Sequence, residues 1–422
     1  MTIDYNRHPC FNPKVQGQFG RVHLPVAPKC NIKCNYCNRK YDCVNESRPG
    51  VTSTILTPAQ ALVYMEKVLV AEPRISVAGI AGPGDPFANP NETLGTMQLL
   101  RRNYPDLILC LATNGMGLYP YIDEVADIGV SHVTVTVNGI DPQVTKKIYA
   151  WVQDEKIIYH GIQAAELLLA RQLKSIEKLK KRGVTVKVNY IVVTGVNDHH
   201  VEETAEFMAD LGVDLFNCMA LLPTEGTVFA DIVEPNKETM ARLRSAGEKY
   251  LPQMRHCKRC RADAVGLLGA DRSGEMAGCL NACASMSVAP GNKRPYVAVA
   301  SMEGMLVNQH LGETTRFMIW EQVGDTFRMV EERPAPIPGS GVGRWQAMTR
   351  LLYDCRAVLV SDMGDTPHEI LQKHGIEPVT MSGFIELGLK AVYSGEGLSK
   401  LKRREKKSCA SGHCQGTGTG CG

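Results

Sequence analysis

Cys30, Cys34 and Cys37 stand in the run Pro28-Lys29-Cys30-Asn31-Ile32-Lys33-Cys34-Asn35-Tyr36-Cys37, a C-x3-C-x2-C spacing with an aromatic residue just before the third cysteine. Three thiolates this close on a tight loop can hold three corners of a 4Fe-4S cube and leave the fourth iron without a protein ligand. An open iron invites a substrate or a cofactor. A structural zinc knuckle would want four protein ligands and paired C-x2-C spacings, and a disulfide framework suits small secreted chains.

The same half of the chain holds a surplus of soft donors: Cys10, His23, Cys43, Cys110, and Cys257 with Cys260 as a C-x2-C pair. These would supply two further clusters with three protein ligands each. Taken singly, Cys110 in Leu107-Ile108-Leu109-Cys110-Leu111-Ala112 also reads as an ordinary buried cysteine, and His23 between Val22 and Leu24 as a core histidine. Cys257 and Cys260 lie among Arg255, His256, Lys258 and Arg259, neighbours that packing alone would not select. Cys218 and Cys355, set among apolar residues, read as packing cysteines.

These donors need elements to position them. Apolar runs at 22–27, 75–80, 107–113, 132–137, 184–193 and 214–221 alternate with amphipathic stretches at 58–70, 93–102, 121–128, 162–181, 199–211 and 237–250. Strands each followed by a helix predict an α/β protein whose parallel sheet curls into a partial barrel. Functional groups in such a barrel gather where strands end and helices begin, which puts the cysteine loop at the mouth. Ala81-Gly82-Pro83-Gly84-Asp85-Pro86 also follows a strand directly, where glycine lets backbone approach a ligand closely. The expected organisation is a barrel with its cluster-ligand extensions over 1–285, a linker at 286–295, a smaller α/β domain over 296–396, and a basic, then Gly- and Cys-rich tail at 397–422.

At 422 residues the chain can build two or three cores. A net charge of +3 with only two basic clusters does not indicate nucleic acid. No apolar run approaches about 18 residues, so no membrane span is expected. Fifteen cysteines, an odd number, cannot all pair within one chain. A cytoplasmic setting, anaerobic or protected from oxygen, is expected, where cysteines more often bind metal than form disulfides.

The cysteine motif resembles the signature of the radical S-adenosylmethionine (SAM) superfamily, in which SAM chelates the open iron. Taken with His8-Pro9-Cys10-Phe11, the continuation Asn38-Arg39-Lys40-Tyr41-Asp42-Cys43, Glu46-Ser47-Arg48-Pro49-Gly50-Val51, the Gly82-Pro83-Gly84 segment and Cys257-Lys258-Arg259-Cys260-Arg261-Ala262-Asp263-Ala264, the sequence resembles the NifB family, which builds the core of the nitrogenase cofactor. Gly304 through Asn308-Gln309-His310-Leu311-Gly312 looks like the NifX-type cofactor-carrying domain, of ribonuclease H-like fold, fused to some members.

The resemblance implies a partial (β/α)6 TIM-type barrel followed by that smaller domain. It implies a resident 4Fe-4S cluster on Cys30, Cys34 and Cys37, SAM as cofactor, and two further 4Fe-4S clusters as substrates. These would be fused, with a carbide from the SAM methyl and a sulfur, into an eight-iron precursor. One SAM would give its methyl to a substrate sulfide and another would yield the deoxyadenosyl radical that takes hydrogen from it. SAM would be held by Tyr36, the backbone of Gly82, Pro83 and Gly84, and Thr113, Asn114, Asn138, Asn189 and Val192. Position along the chain groups Cys10 with Cys257 and Cys260, and His23 with Cys43 and Cys110. Glu46 and Arg48 would serve proton transfer or ion pairing near the clusters, and His310 would meet a cofactor in the second domain. Expected partners are iron-sulfur cluster donors, an electron donor such as a ferredoxin, and carrier or scaffold proteins that receive the product. A radical SAM enzyme with auxiliary electron-transfer clusters and a non-catalytic cluster carrier are the competing readings.

Overall fold

Val- and Ile-rich runs become strands buried on both faces, as parallel strands covered by helices require. A computed structural model of the chain describes residues 3–43, 54–258, 260–286, 294–338 and 341–395. The chain divides into two compact units, Met1–Met286 and Ser287–Gly422.

In the first unit β1 (Gly20–His23) leads toward the cysteine loop, which contains the short β2 (Ile32–Cys34). Then follow α1 (Pro58–Ala71), β3 (Ile75–Ile80), α2 (Pro90–Asn103), β4 (Ile108–Thr113), α3 (Ile122–Asp127) and β5 (Val130–Thr136). Next come α4 (Pro142–Thr145), the hairpin of β6 (Tyr149–Asp154) and β7 (Ile157–Tyr159), α5 (Gly161–Lys181) and β8 (Thr185–Val192). The unit closes with α6 (Val201–Asp210), β9 (Leu215–Ala220), α7 (Lys237–Glu248), β10 (Val265–Leu267), β11 (Ala270–Asp271) and α8 (Ser273–Ser285). The entry to α1 shows the local logic: Thr57 and Gln60 form a reciprocal capping box, and Pro58 occupies the first turn, where its missing N–H costs nothing.

The sheet order is β11-β10-β1-β3-β4-β5-β8-β9. From β1 to β9 every neighbouring pair is parallel, giving the partial (β/α)6 barrel, while β10 pairs antiparallel on the free side of β1. Barrels of this type fill their interior with bulky branched side chains. Here Gly79, Ala81, Cys110, Ala112, Thr134, Asn189 and Asn217 line a cavity instead. No helix among the described residues is long and apolar enough to cross a membrane.

The second unit contains β12 (Tyr296–Val299), β13 (Leu306–Val307), β14 (Arg316–Val323), β15 (Thr326–Pro334) and α9 (Val342–Leu351). It continues with β16 (Cys355–Val360), α10 (Asp365–Lys373), β17 (Glu377–Thr380), β18 (Gly383–Phe384) and α11 (Ile385–Ser394). Its sheet order, β15-β14-β12-β16-β17, joins an antiparallel β12-β14-β15 meander to parallel β16 and β17. This is the ribonuclease H-like arrangement. α9 stops at Leu351, and Cys355, fully buried, is already the first residue of β16.

Candidate active site

The cysteine loop is clamped from two sides. On one, Ala27 bridges Pro83, Gly84 N–H donates to Ala27 O at 2.6 Å, and Asp85 N–H donates to Lys29 O at 2.8 Å. A Cβ on Gly84 would sit 2.1 Å from Lys29 O, so the approach demands glycine. On the other side β2 pairs antiparallel with β6, Cys34 opposite Tyr149, and Asn35 N–H donates to Ile148 O at 2.7 Å. The Arg39 guanidinium donates to the carbonyls of Pro28 and Pro83, stitching the loop to the glycine segment. Cys30, Cys34 and Cys37 thereby line one cavity with Tyr36, Cys43, Gly84, Asp85, Thr113 and Asn114. Burial, then the Asp85 carboxylate, pushes the Cys30 thiol up to about 12, so a metal must displace its proton to bind.

Asp85 braces this cavity. Its 3 % exposed carboxylate accepts from Phe87 N–H at 2.9 Å, Thr113 Oγ1 at 2.9 Å and Asn114 N–H at 2.7 Å, joining the loop after β3 to the end of β4. Thr113 is therefore committed to the brace. Asn114 Nδ2 donates to Asn31 Oδ1 at 2.8 Å and lies 3.7 Å from Cys30 Sγ. Asp85→Ala leaves two buried backbone donors without an acceptor and is expected to lower unfolding free energy by on the order of 3 kcal/mol. Asp85→Asn should recover part of it through its remaining oxygen. Urea unfolding measures both, and equal stability in all three proteins would refute the brace.

Asn138 is a strut rather than an open donor. Its amide donates to Tyr36 OH at 2.8 Å and Tyr149 OH at 3.2 Å, and its oxygen accepts from Ile191 N–H at 2.9 Å. It fixes Tyr36, itself 1 % exposed, beside the cysteines.

A second cavity lies inside the barrel. Cys10, His23, Cys110, Cys257 and Cys260 all line it, with His8, Arg21, Lys187, Asn189 and Asn217. Ala112 lines both cavities. Among the described residues no acidic side chain lines the inner chamber, whereas three cations, Arg21, Lys187 and Lys258, do. Arg21, 2 % exposed, donates from Nε and Nη2 to Cys260 Sγ at 3.1 and 3.0 Å and from Nη1 to Gly266 O at 2.5 Å. Lys187, 8 % exposed, sets its ammonium 3.9 Å from Met254 Sδ and over the Phe11 ring. Burial pushes the Cys10 thiol up to about 12 against the pull of Lys187.

His23 Nδ1 lies 2.9 Å from Arg261 O. A carbonyl cannot donate, so Nδ1 carries the proton and Nε2 keeps its lone pair, the tautomer a metal ligand needs. Burial, then Arg21, holds the ring pKa down at about 4, and Gly79 leaves the ring its space, since a Cβ there would be 3.3 Å from His23 Cδ2.

The structure thus gathers five of the six surplus donors in one chamber and places Cys43 in the other cavity, with the motif cysteines. Cys43 ends a described stretch; Glu46 and Arg48 lie outside the described residues. Asn189 lines the inner chamber and accepts from Asn217 Nδ2 at 2.9 Å. Val192 is fully buried in β8, its carbonyl accepting from Leu221 N–H at 2.9 Å. Among the described residues no three His, Cys, Asp or Glu side chains converge to hold a single metal ion. A cubane takes each ligand on a different iron, so its ligands need not converge on one point. Arg21, Lys187, Asp85 and Arg39 were not singled out by sequence. In the second unit, His310 Nδ1 accepts from Gly312 N–H at 3.0 Å.

Residues 24–208 match the Radical SAM superfamily, and residues 293–395 match the family described as dinitrogenase iron-molybdenum cofactor. The FeMo cofactor biosynthesis protein NifB of Chlorobaculum tepidum is 49 % identical over 423 residues, covering 100 % of both chains. That of Klebsiella pneumoniae is 41 % identical over 403 residues, 88 % of this chain and 86 % of its own. That of Azotobacter vinelandii is 37 % identical over 422 residues, 88 % and 84 % respectively. With the cysteine loop and glycine segment joined at the barrel mouth and identity running the full length of both domains, this chain belongs to the NifB family of radical SAM enzymes of FeMo cofactor biosynthesis.

Proposed function

We propose that the chain fuses two 4Fe-4S clusters, bound as substrates, with a carbide derived from SAM and a sulfur, into the eight-iron precursor of the nitrogenase cofactor. The observation that carries this reading is the gathering of Cys10, His23, Cys110, Cys257 and Cys260 around one chamber that shares the Ala112 wall with the cavity of Cys30, Cys34 and Cys37. Auxiliary clusters that only relay electrons have no need to sit against the SAM cavity inside the barrel.

Three thiols on one clamped loop, faced by glycine backbone, fit a resident 4Fe-4S cluster with SAM on its open iron. When bound, that cluster supplies the electron that cleaves SAM. Cys30, Cys34 and Cys37 hold it, while Gly82 to Gly84, Asn114 and Tyr36 orient SAM against it. Cys10, Cys257 and Cys260 hold one substrate cluster. His23 and Cys110 hold the other, joined by Cys43 from the rim of the neighbouring cavity. Arg21, Lys187 and Lys258 offset the negative charge of thiolate-bound clusters in a chamber that no carboxylate lines among the described residues. His23 is the ligand suited to release, because imidazole is neutral and can be protonated where thiolate binds iron more firmly. Glu46 and Arg48 serve proton transfer or ion pairing beside the clusters. Cluster donors, a ferredoxin-type reductant and a carrier or scaffold that takes the product are the partners of this reaction, and the second unit is its cofactor-carrying domain.

Anaerobic reconstitution should load about twelve iron atoms per chain, falling to about eight in a Cys10→Ala, Cys257→Ala double variant, as three 4Fe-4S cubes require. SAM and dithionite should then yield deoxyadenosine and S-adenosylhomocysteine with both proteins, and conversion of paired clusters with the parent alone. Unchanged iron in the double variant would overturn the chamber assignment. Both nucleoside products without cluster conversion by the parent would overturn the fusion.

A further inference from the structure

His8 is 1 % exposed, its ring held 4.7 Å from that of Phe11 and 4.6 Å from that of His132. The backbone N–H of Cys10 donates to its Nδ1 at 3.2 Å. A ring nitrogen that accepts a hydrogen bond carries no proton, so the imidazole has its hydrogen on Nε2. That nitrogen is buried and has no hydrogen-bond partner among the described residues, although His8 lines the inner chamber with Cys10, Cys257 and Cys260. A buried donor left unmade costs about 1–3 kcal/mol. Native structures retain such groups where something else completes them. Among the described residues the chamber is lined by thiols and three cations and by no carboxylate, so an anionic occupant rich in sulfur supplies the missing acceptor.

We propose that His8 is a binding residue for the substrate cluster held by Cys10, Cys257 and Cys260, its Nε2–H donating to a sulfur of that cluster. The inference rests on the reading of the inner chamber as a substrate-cluster site. An N–H donor stabilises the more negative, reduced cluster and so raises its potential. It also fixes one orientation of a cube whose three protein ligands leave one iron open.

The two ring nitrogens can be separated by substitution. Asparagine places an acceptor where Nδ1 stands, keeping the turn that receives Cys10 N–H, and removes the deeper donor. Glutamine reaches as far as Nε2 and keeps the donor while losing the local turn. The full chain is reconstituted anaerobically as parent, His8→Asn, His8→Gln and the Cys10→Ala, Cys257→Ala double variant. Iron content is measured, and the EPR signal that the double variant loses is followed in a redox titration. The expected result is full iron loading in His8→Asn with that signal's midpoint shifted lower, and a midpoint near the parent's in His8→Gln. The reverse order would reduce His8 to a cap on the Cys10 turn, and no shift in either would remove its contact with the cluster. Loss of a third of the iron in His8→Asn would make it a ligand rather than a donor. Each of these overturns the inference while the chamber reading stands. Full iron in the double variant overturns the chamber reading, and the inference with it.

Discussion

Replacing Gly84 with alanine is expected to slow SAM cleavage by about 100-fold or more, the scale on which displacement of a reacting group by about 1 Å acts. The added Cβ would stand 2.1 Å from Lys29 O, 2.7 Å from Lys29 C and 2.8 Å from Ala27 O. All three are backbone atoms, so no side chain can rotate away. Lys29 is the residue before Cys30, and its carbonyl also accepts from Asp85 N–H. The clash can be relieved only by moving the first cysteine of the motif or by parting the glycine segment from it, and either change alters the cavity in which SAM must meet the open iron. Overpacking of this kind also costs about 1–3 kcal/mol of stability, or more where the backbone cannot yield. Gly95 in α2 is the matched control: a Cβ there meets only Pro58 atoms at 3.5 and 3.8 Å, ordinary contact distances. Gly95→Ala should leave turnover unchanged and stabilise the helix by about 0.5–1 kcal/mol. Deoxyadenosine formation by the two reconstituted variants is the measurement. A Gly84→Ala rate within about threefold of the parent would show that the loop yields without consequence for the transition state.

The close approach at Gly84 matters because the loop is part of a larger division of the barrel. Cys110 and Ala112 lie two residues apart on β4 and so face the same side of the sheet. Cys110 gives a thiol to the inner chamber, and Ala112 walls both cavities. A bulky residue at either position would restore the filled interior usual in such barrels. The short side chains at Gly79, Ala81 and Ala112 are thus the packing counterpart of the surplus thiols: the core gives up apolar burial where the chemistry needs room.

The barrel was legible in the sequence because each strand is a short buried run set between helices of clear period, and the alternation repeats. The motif cysteines, the glycine segment and the soft donors were legible because metal chemistry restricts residue type so strongly. The β6–β7 hairpin was not. Tyr149-Ala150-Trp151-Val152-Gln153-Asp154 alternates weakly, and its partner, β2, is three residues inside the cysteine motif. The bracing roles of Asn138, expected as a SAM contact, and of Asp85, not singled out by sequence, were not legible either. A strand-end asparagine or aspartate looks available for ligand, and only the fold shows their polar atoms already committed to Tyr36, Tyr149, Thr113 and backbone N–H groups. Lys187 gave no signal, because an isolated lysine in an apolar strand has no pattern around it.

Arg21 is the strongest instance of the same blindness, since its partner Cys260 is 239 residues away. Arg21→Met is expected to lower unfolding free energy by on the order of 3 kcal/mol, the cost of leaving several buried acceptors without their donor. The side chain is nearly volume-matched, so the loss comes from polar groups: Cys260 Sγ loses two donors, at 3.1 and 3.0 Å, and the carbonyls of Gly266 and Leu267 lose theirs at 2.5 and 3.3 Å. Asp271, 3.9 Å from Nη2, loses its cation as well. Because β10 is held against β1 partly through these carbonyls, the edge that carries the Cys257–Cys260 segment should loosen. Iron should then fall from about twelve toward about eight atoms per chain. SAM cleavage should persist, since Cys30, Cys34 and Cys37 line the other cavity. Arg21→Lys should fall between, because a single ammonium on a flexible stem cannot bridge a sulfur and two carbonyls as a planar guanidinium does. Urea unfolding, iron analysis and deoxyadenosine yield on the three proteins separate the effects. Full iron loading in Arg21→Met would mean that Cys260 needs no charged partner to hold its cluster. Loss of SAM cleavage in Arg21→Lys, with the fold intact, would mean that the two cavities are coupled through more than the Ala112 wall.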